Sequence, residues 1–210
     1  KVLVFEGKPI NAFYHASNGG VSASSGESWK ISDYPYFTTE FDMANFEKKY
    51  SFPSIKRREY LKYFLQSDEN NFFGKDHYLF RWKRKISDKE IFNLLQKNDL
   101  VNKNSEIIDL KVTKRGNSGR VTKLDIIQDN PMKKITLIKD DIRKSLNFLP
   151  SNLFIIDKLN DNFWIFTGGG FGHGVGLSQS GAIEMAQKGY SYKKILEQYY
   201  KNTKILNFMN

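Results

Sequence analysis

Apolar and polar residues alternate with two periods along this chain, and the switches between them mark its elements. Val2-Leu3-Val4-Phe5 is an apolar run, broken by Glu6-Gly7-Lys8 and followed by Ile10–His15, which predicts an opening β-hairpin. Ser17-Asn18-Gly19-Gly20 and the small polar residues 21–26 read as a loop. Residues 28–50 read as an aromatic, irregular segment with Pro35 in its middle. From His77 to Lys85, Tyr78, Phe80 and Trp82 interleave with Arg81 and Lys83. As a strand this places three aromatics on one face and the cations on the other.

The second half is more regular. Ser87-Asp88-Lys89-Glu90 is a capping box, and Ile91, Leu94 and Leu95 continue it as a helical stripe. Ile107–Arg115 and Arg120–Ile127 alternate around Gly116-Asn117-Ser118-Gly119, a second hairpin. Beyond the turn Asn130-Pro131, Ile135–Ile138 reads as a strand, and Asp140 or Asp141 as the cap of a short helix through Leu146. Phe154–Lys158 and Phe163–Thr167 pair around Asn160-Asp161. A helix runs from about Ser178 to Lys188 and stops at Gly189, and Ser191 caps a last one, Tyr192–Tyr200. The class expected is α+β: a β-rich single domain with short helices, two of them at the C-terminus.

Composition narrows the function more than the fold. With 210 residues the chain can bury a full core, and 33 Lys and Arg against 23 Asp and Glu leave it at +10. That balance suits a polyanionic partner such as nucleic acid, an acidic membrane face or an acidic wall polymer. Zero Cys excludes disulfides, Cys-ligated zinc and a thiol nucleophile. No apolar run approaches the ~20 residues of a membrane span. The chain begins at Lys1 inside a strand, so an upstream part carrying any localisation signal is expected to have preceded it.

Two segments carry candidate chemistry. Six of the nine residues from Gly168 to Gly176 are Gly, with His173 among them, just ahead of a helix. Such a run is either a structural turn or a place where backbone approaches a ligand closely. A dinucleotide loop is unsupported, because Gly-x-Gly-x-x-Gly is not met in any register, and no Gly-Lys-Ser/Thr follows to make a phosphate loop. Phe13-Tyr14-His15-Ala16-Ser17-Asn18-Gly19-Gly20 places a second His beside two Gly at a strand exit. His15 and His173 are expected to meet and line one groove, with Ser17, Gly19, Gly20, Ser178 and Gln179 nearby. His77 completes the number needed for a three-His zinc site, yet Lys75-Asp76-His77 reads better as a solvated face. Ser178 with His173 hints at a hydrolase pair, although Gly-x-Ser-x-Gly is absent.

These segments resemble the stage II sporulation protein D (SpoIID)/LytB family of cell-wall proteins. Gly170-Phe171-Gly172-His173-Gly174-Val175-Gly176-Leu177-Ser178-Gln179-Ser180-Gly181-Ala182 resembles its G-x-G-H-G-x-G-x-S-Q-x-G-A signature. Residues 13–20 resemble its H-S-x-S-G-G segment, with Ala16 in place of the usual Ser, and Ser118-Gly119-Arg120-Val121 resembles its S-G-R motif. Gly189-Tyr190 and residues 195–200 resemble its tail. The resemblance implies that residues 1–210 are a SpoIID/LytB-like domain without its N-terminal segment, from an extracytoplasmic protein of the bacterial envelope. Its partners would be peptidoglycan glycan strands and a cell-wall amidase, with no nucleic acid. Sporulation members are lytic transglycosylases; others were named as amidase enhancers, so a non-catalytic wall-binding module is the alternative.

The family's catalytic Glu lies in a G-E-M-P-like segment, and none occurs here; Glu6 and Glu27 do not match it. The chain alone is therefore expected to be inactive, with no certain catalytic residue, no cofactor and no metal. The substrate-binding set implied is His15, Ser17, Gly19, Gly20, Gly172, His173, Gly174, Ser178 and Gln179.

Overall fold

Three small antiparallel sheets, each built where apolar residues alternate, frame a glycine-rich centre. A computed structural model describes residues 1–43, 54–67, 71–101, 105–129, 131–160 and 162–207. In chain order its elements are Val2–Phe5 (β1), Lys8–Pro9 (β2), Tyr14–His15 (β3), Ser25–Ser28 (α1), Arg58–Gln66 (α2), Arg81–Ser87 (β4), Asp88–Lys97 (α3), Ile107–Arg115 (β5), Val121–Gln128 (β6), Lys133–Ile138 (β7), Asp140–Ser145 (α4), Phe154–Asn160 (β8), Phe163–Gly169 (β9), Leu177–Ser178 (β10), Gln179–Gln187 (α5), Tyr192–Tyr199 (α6) and Lys204–Leu206 (β11). The domain is α+β, as expected, with two helices near its C-terminus.

The sheets run β11-β1-β2, β4-β9-β8 and β5-β6-β7, and a two-stranded parallel pair joins β3 to β10. Sheets β4-β9-β8 and β5-β6-β7, with α3 and α4, enclose the largest core. Leu110, Leu124, Ile126, Ile135, Leu137, Phe154 and Phe166 meet Ile91, Leu95 and Ile142 there. Each such side chain stabilises the fold by about 1.5–3 kcal/mol on burial. A second cluster of Leu61, Phe64, Phe72 and Phe80 sits under α2. A third, with Tyr36, Phe37, Phe73, Met185 and Tyr199, lies beneath α5 and α6.

Local signals hold where short-range chemistry decides. Ser87 Oγ accepts from the Glu90 N–H while the Glu90 carboxylate accepts from the Ser87 N–H, so the capping box is formed. Ser178 and Ser191 cap α5 and α6, and Gly189 ends α5 at φ +83°. The hairpins β5–β6 and β8–β9 form as the alternation predicts.

Four expectations are corrected. The strand expected over Ile10–His15 is confined to Tyr14–His15, because those two residues pair with Leu177–Ser178 rather than with β1. The strand expected from His77 begins at Arg81; Tyr78 is 77% exposed, while Phe80 and Trp82 are buried. The segment read as loop and irregular chain holds the helical turn α1. Lys139, at φ +51°, stands at the N-cap of α4 in place of Asp140 or Asp141. The end of the segment over 44–50, Asn130 and Asp161 lie outside the described residues.

Candidate functional site

The parallel β3–β10 pair brings the two distant motifs side by side. Extra backbone pairing reinforces it: Ser17 N–H donates to Phe171 O (3.1 Å), Phe171 N–H returns to Ser17 O (2.7 Å), and Ala23 N–H donates to Gly174 O (2.8 Å). Only Gly allows this approach at residue 170. A Cβ there would sit 2.7 Å from Ser17 O, and its φ of +83° is a conformation that L side chains rarely adopt.

Arg120 ties the third motif to the first two. It is 2% exposed and donates to Asn18 O (2.9 Å) and Val21 O (3.0 Å), while its guanidinium packs against Gly174. Glu27 positions the turn that precedes Arg120: its carboxylate accepts from Asn117 N–H, Ser118 N–H and Ser118 Oγ–H. On the opposite side Asn18 Nδ2 donates to Asp42 (2.7 Å), which also accepts from the Tyr199 hydroxyl (2.9 Å) and Gln198 Nε2 (3.3 Å). Burial raises the Asp42 carboxyl to about 6 against the pull of these donors.

The two imidazoles meet at the centre, with ring centroids 5.3 Å apart and edge to face, and the Trp29 ring is tilted against His173 with centroids 4.7 Å apart. Their hydrogen bonds fix opposite tautomers. His15 Nδ1 faces Val175 O at 3.1 Å, a pure acceptor, so Nδ1 carries the proton and the buried Nε2 keeps a lone pair with no partner among the described residues. His173 Nδ1 accepts from Val175 N–H at 3.1 Å, which leaves its proton on Nε2. Burial lowers both rings: His15 goes well below its usual range, pushed further by its neighbour His173 and then by Arg120, and His173 goes to about 4, with the Tyr14 backbone opposing the shift and Arg120 adding to it. Both are neutral at pH 7.

The other expected site residues divide by exposure. Ser17, Gly19, Gly20, Gly174 and Ser178 are buried; Gly172 and His173 are half-buried; Gln179 is exposed at the start of α5. Gly19 O accepts from Arg81 (2.8 Å) and Gly20 N–H donates to Asn18 Oδ1 (2.9 Å). Ser178 Oγ lies 3.4 Å from both Asn18 N–H and Gly181 N–H, so it works as a helix cap that also holds the Asn18 loop, not as a partner of His173. His77 stacks on Tyr78, with its ring 6.4 Å from that of Phe171, and does not complete a metal-ligand group among the described residues. Exposed Tyr14 and Phe171 flank the paired loops. Arg143, Asp140 and Asn152, beside His173, form part of the site's wall, and no local motif marked them.

Comparison with known proteins gives three matches. A family described as a domain of unknown function (DUF8618) matches residues 23–176. A protein of Bacillus subtilis named amidase enhancer is 24% identical across 99% of this chain and 31% of its own length. An uncharacterized protein of Brachyspira hyodysenteriae is 33% identical over 60% of this chain and 33% of its own. The chain spans about a third of the length of these curated relatives.

Proposed function

The chain belongs to that family of unknown function (DUF8618), and from its site we propose that it is the glycan-contacting part of a bacterial cell-wall protein of amidase-enhancer type. One observation carries this reading. Three of the four segments that resemble the SpoIID/LytB family lie far apart in sequence, and Arg120, in one of them, reaches the other two in space through Asn18 and Gly174. The similarity to the Bacillus amidase enhancer over nearly the whole chain supports it. So does the net charge of +10, which suits an anionic wall. On this reading the protein acts outside the cytoplasm, with peptidoglycan strands and a cell-wall amidase as partners.

A second reading, lytic transglycosylase-like cleavage, is favoured by the imidazole pair, neutral at pH 7, in which the buried His15 Nε2 keeps a lone pair without a partner among the described residues while the His173 ring N–H is turned to the Tyr14 backbone. Two carboxylates near the site, Glu27 beside Arg120 and Asp140 beside His173, are already engaged. Glu27 is filled by the 117–118 backbone and Asp140 is paired with Lys144 at 3.0 Å. Cleavage would then rest on a carboxyl group from outside these residues.

Retention on purified sacculi against DNA of matched charge, at about 0.15 M salt where distant charges are screened, tests the first reading. Preferential retention on sacculi is expected; preferential retention on DNA overturns it. Release of anhydro-muropeptides from peptide-stripped sacculi separates the second reading, and none is expected from these residues alone.

A further inference from the structure

Two of the residues that line a recess beside His173 each carry a buried polar atom without a partner among the described residues. The recess lies between Ser28, Asp140, Arg143, Asn152, Gly172 and His173, and its cavity volume is about 10 Å³, room for roughly one oxygen atom with its hydrogen. Most of its polar groups are occupied. Ser28 Oγ donates to His173 O (2.8 Å), Asp140 pairs with Lys144, and His173 Nδ1 accepts from Val175. Two groups remain. Arg143 Nε and Asn152 Oδ1 are buried with no hydrogen-bond partner among the described residues. Asn152 is 7% exposed, and its amide orientation is fixed because Nδ2 donates to Lys139 O at 2.8 Å.

An unmatched donor and an unmatched acceptor in one narrow recess cost free energy unless something bridges them. The bridge must accept from Arg143 and donate to Asn152. A carboxylate fails, since it would face Asn152 Oδ1 and the Asp140 carboxylate; an ammonium would face Arg143. A whole acetamido group exceeds the space. A hydroxyl does both jobs with one oxygen.

We propose that this recess is a subsite for a single sugar hydroxyl, the primary hydroxymethyl of a glycan ring bound across Gly172 and His173. The hydroxymethyl stands on a rotatable arm and can enter where the ring cannot, while secondary hydroxyls are fixed close to the ring. Gly172 and His173 are half-buried in the lining of the recess, as are Asp140 and Arg143, and exposed Phe171 beside the first two offers an apolar face to the ring that stays outside. The subsite rests on the glycan reading above.

The test is NMR titration of the protein with an N-acetylglucosamine tetramer and with the same tetramer lacking oxygen at every C6, alongside retention on sacculi. The native tetramer is expected to bind about tenfold more tightly, the difference one hydrogen-bonded group to a charged donor makes. Arg143→Met keeps the aliphatic stem and removes the donor. It should lower affinity for the native tetramer to that of the deoxygenated one and leave the latter unchanged. Comparing two ligands on the unaltered protein keeps the test valid even if the variant folds poorly. Retention on sacculi with equal or no binding of the two tetramers overturns the subsite, leaving a recess that holds only water, while the glycan reading stands. Failure to retain sacculi overturns both.

Discussion

The sheet half and the loop half of this molecule are held together by different physics. Around β5-β6-β7 and β4-β9-β8 the core is aliphatic and repetitive, and its backbone hydrogen bonds run strand to strand. Around the paired loops the same task falls to buried polar side chains. Arg120 holds Asn18 and Val21, Asn18 holds Asp42, Asp42 holds Tyr199 and Gln198, and Ser178 caps α5 while touching Asn18. Aliphatic burial tolerates loss of one contact because it is non-directional and spread over many atoms. A polar network is sensitive to each member, since removing one leaves its partners buried and unmatched. The comparison teaches why the loop half can keep two neutral imidazoles at fixed tautomers: its positions are set by directional bonds.

The largest effect should come from cutting the network at Arg120. Arg120→Met strips donors from two buried carbonyls and is expected to cost about 4 kcal/mol, the sum of two unsatisfied groups. Leu124→Ala, in the sheet core, is expected to cost about 3 kcal/mol through lost burial and a cavity. Urea unfolding measures both. The halves separate in a second readout: Arg120→Met should move the His15 and His173 imidazole resonances, and Leu124→Ala should leave them in place. Equal displacement by both would show that the two halves are one mechanical unit.

Acid sharpens the contrast, because the loop half contains titrating groups whose contributions oppose each other. His173 sits at about 4 folded and near ~6.5 unfolded, so as pH falls below 6.5 the unfolded chain takes up a proton first. About 3 kcal/mol is lost by pH ~4. Asp42 runs the other way: raised to about 6 from an unfolded value near ~3.9, it takes up its proton in the folded state first. About 3 kcal/mol is gained over nearly the same interval. The two offset, and His15, held low as well, tips the balance toward acid destabilisation. His173→Gln should therefore flatten the fall in urea midpoint between pH 7 and 4.5, and Asp42→Asn should steepen it. A steeper fall in His173→Gln would overturn the assignment.

What the sequence disclosed follows the same division. The β5–β6 hairpin around 116–119 and the β8–β9 hairpin, the capping box at Ser87 and the caps at Ser178 and Ser191 are legible because neighbours within a few residues decide them. The meeting of His15 and His173 was legible from shared glycine chemistry at two strand exits. Tyr78 was placed wrongly because alternation of types continued past the start of the strand, where turn backbone carries Leu79 and Phe80 inward. The pairing of β11 with β1, and the roles of Asp42, Arg143 and Asn152, depend on contacts across the chain and leave no local trace. Glu27 matches no motif of the sequence, because its partners lie some ninety positions away.

Glu27 gives the smallest and most discriminating test of the comparison. Its carboxylate takes two backbone N–H groups and the Ser118 hydroxyl, which leaves it a holder of the Arg120 turn and not a free proton donor. Glu27→Gln keeps the length and one acceptor oxygen but turns an amide NH₂ toward N–H donors. The loss should be about 1–2 kcal/mol in urea unfolding, the scale of one charge-assisted bond replaced by a mismatch. If positioning is its whole role, retention on sacculi falls only in proportion to the unfolded fraction and recovers when the protein is kept below its unfolding transition. A loss of glycan binding or of any muropeptide release in fully folded Glu27→Gln would place this carboxylate in contact with the glycan instead, and the loop half would then contain chemistry as well as architecture.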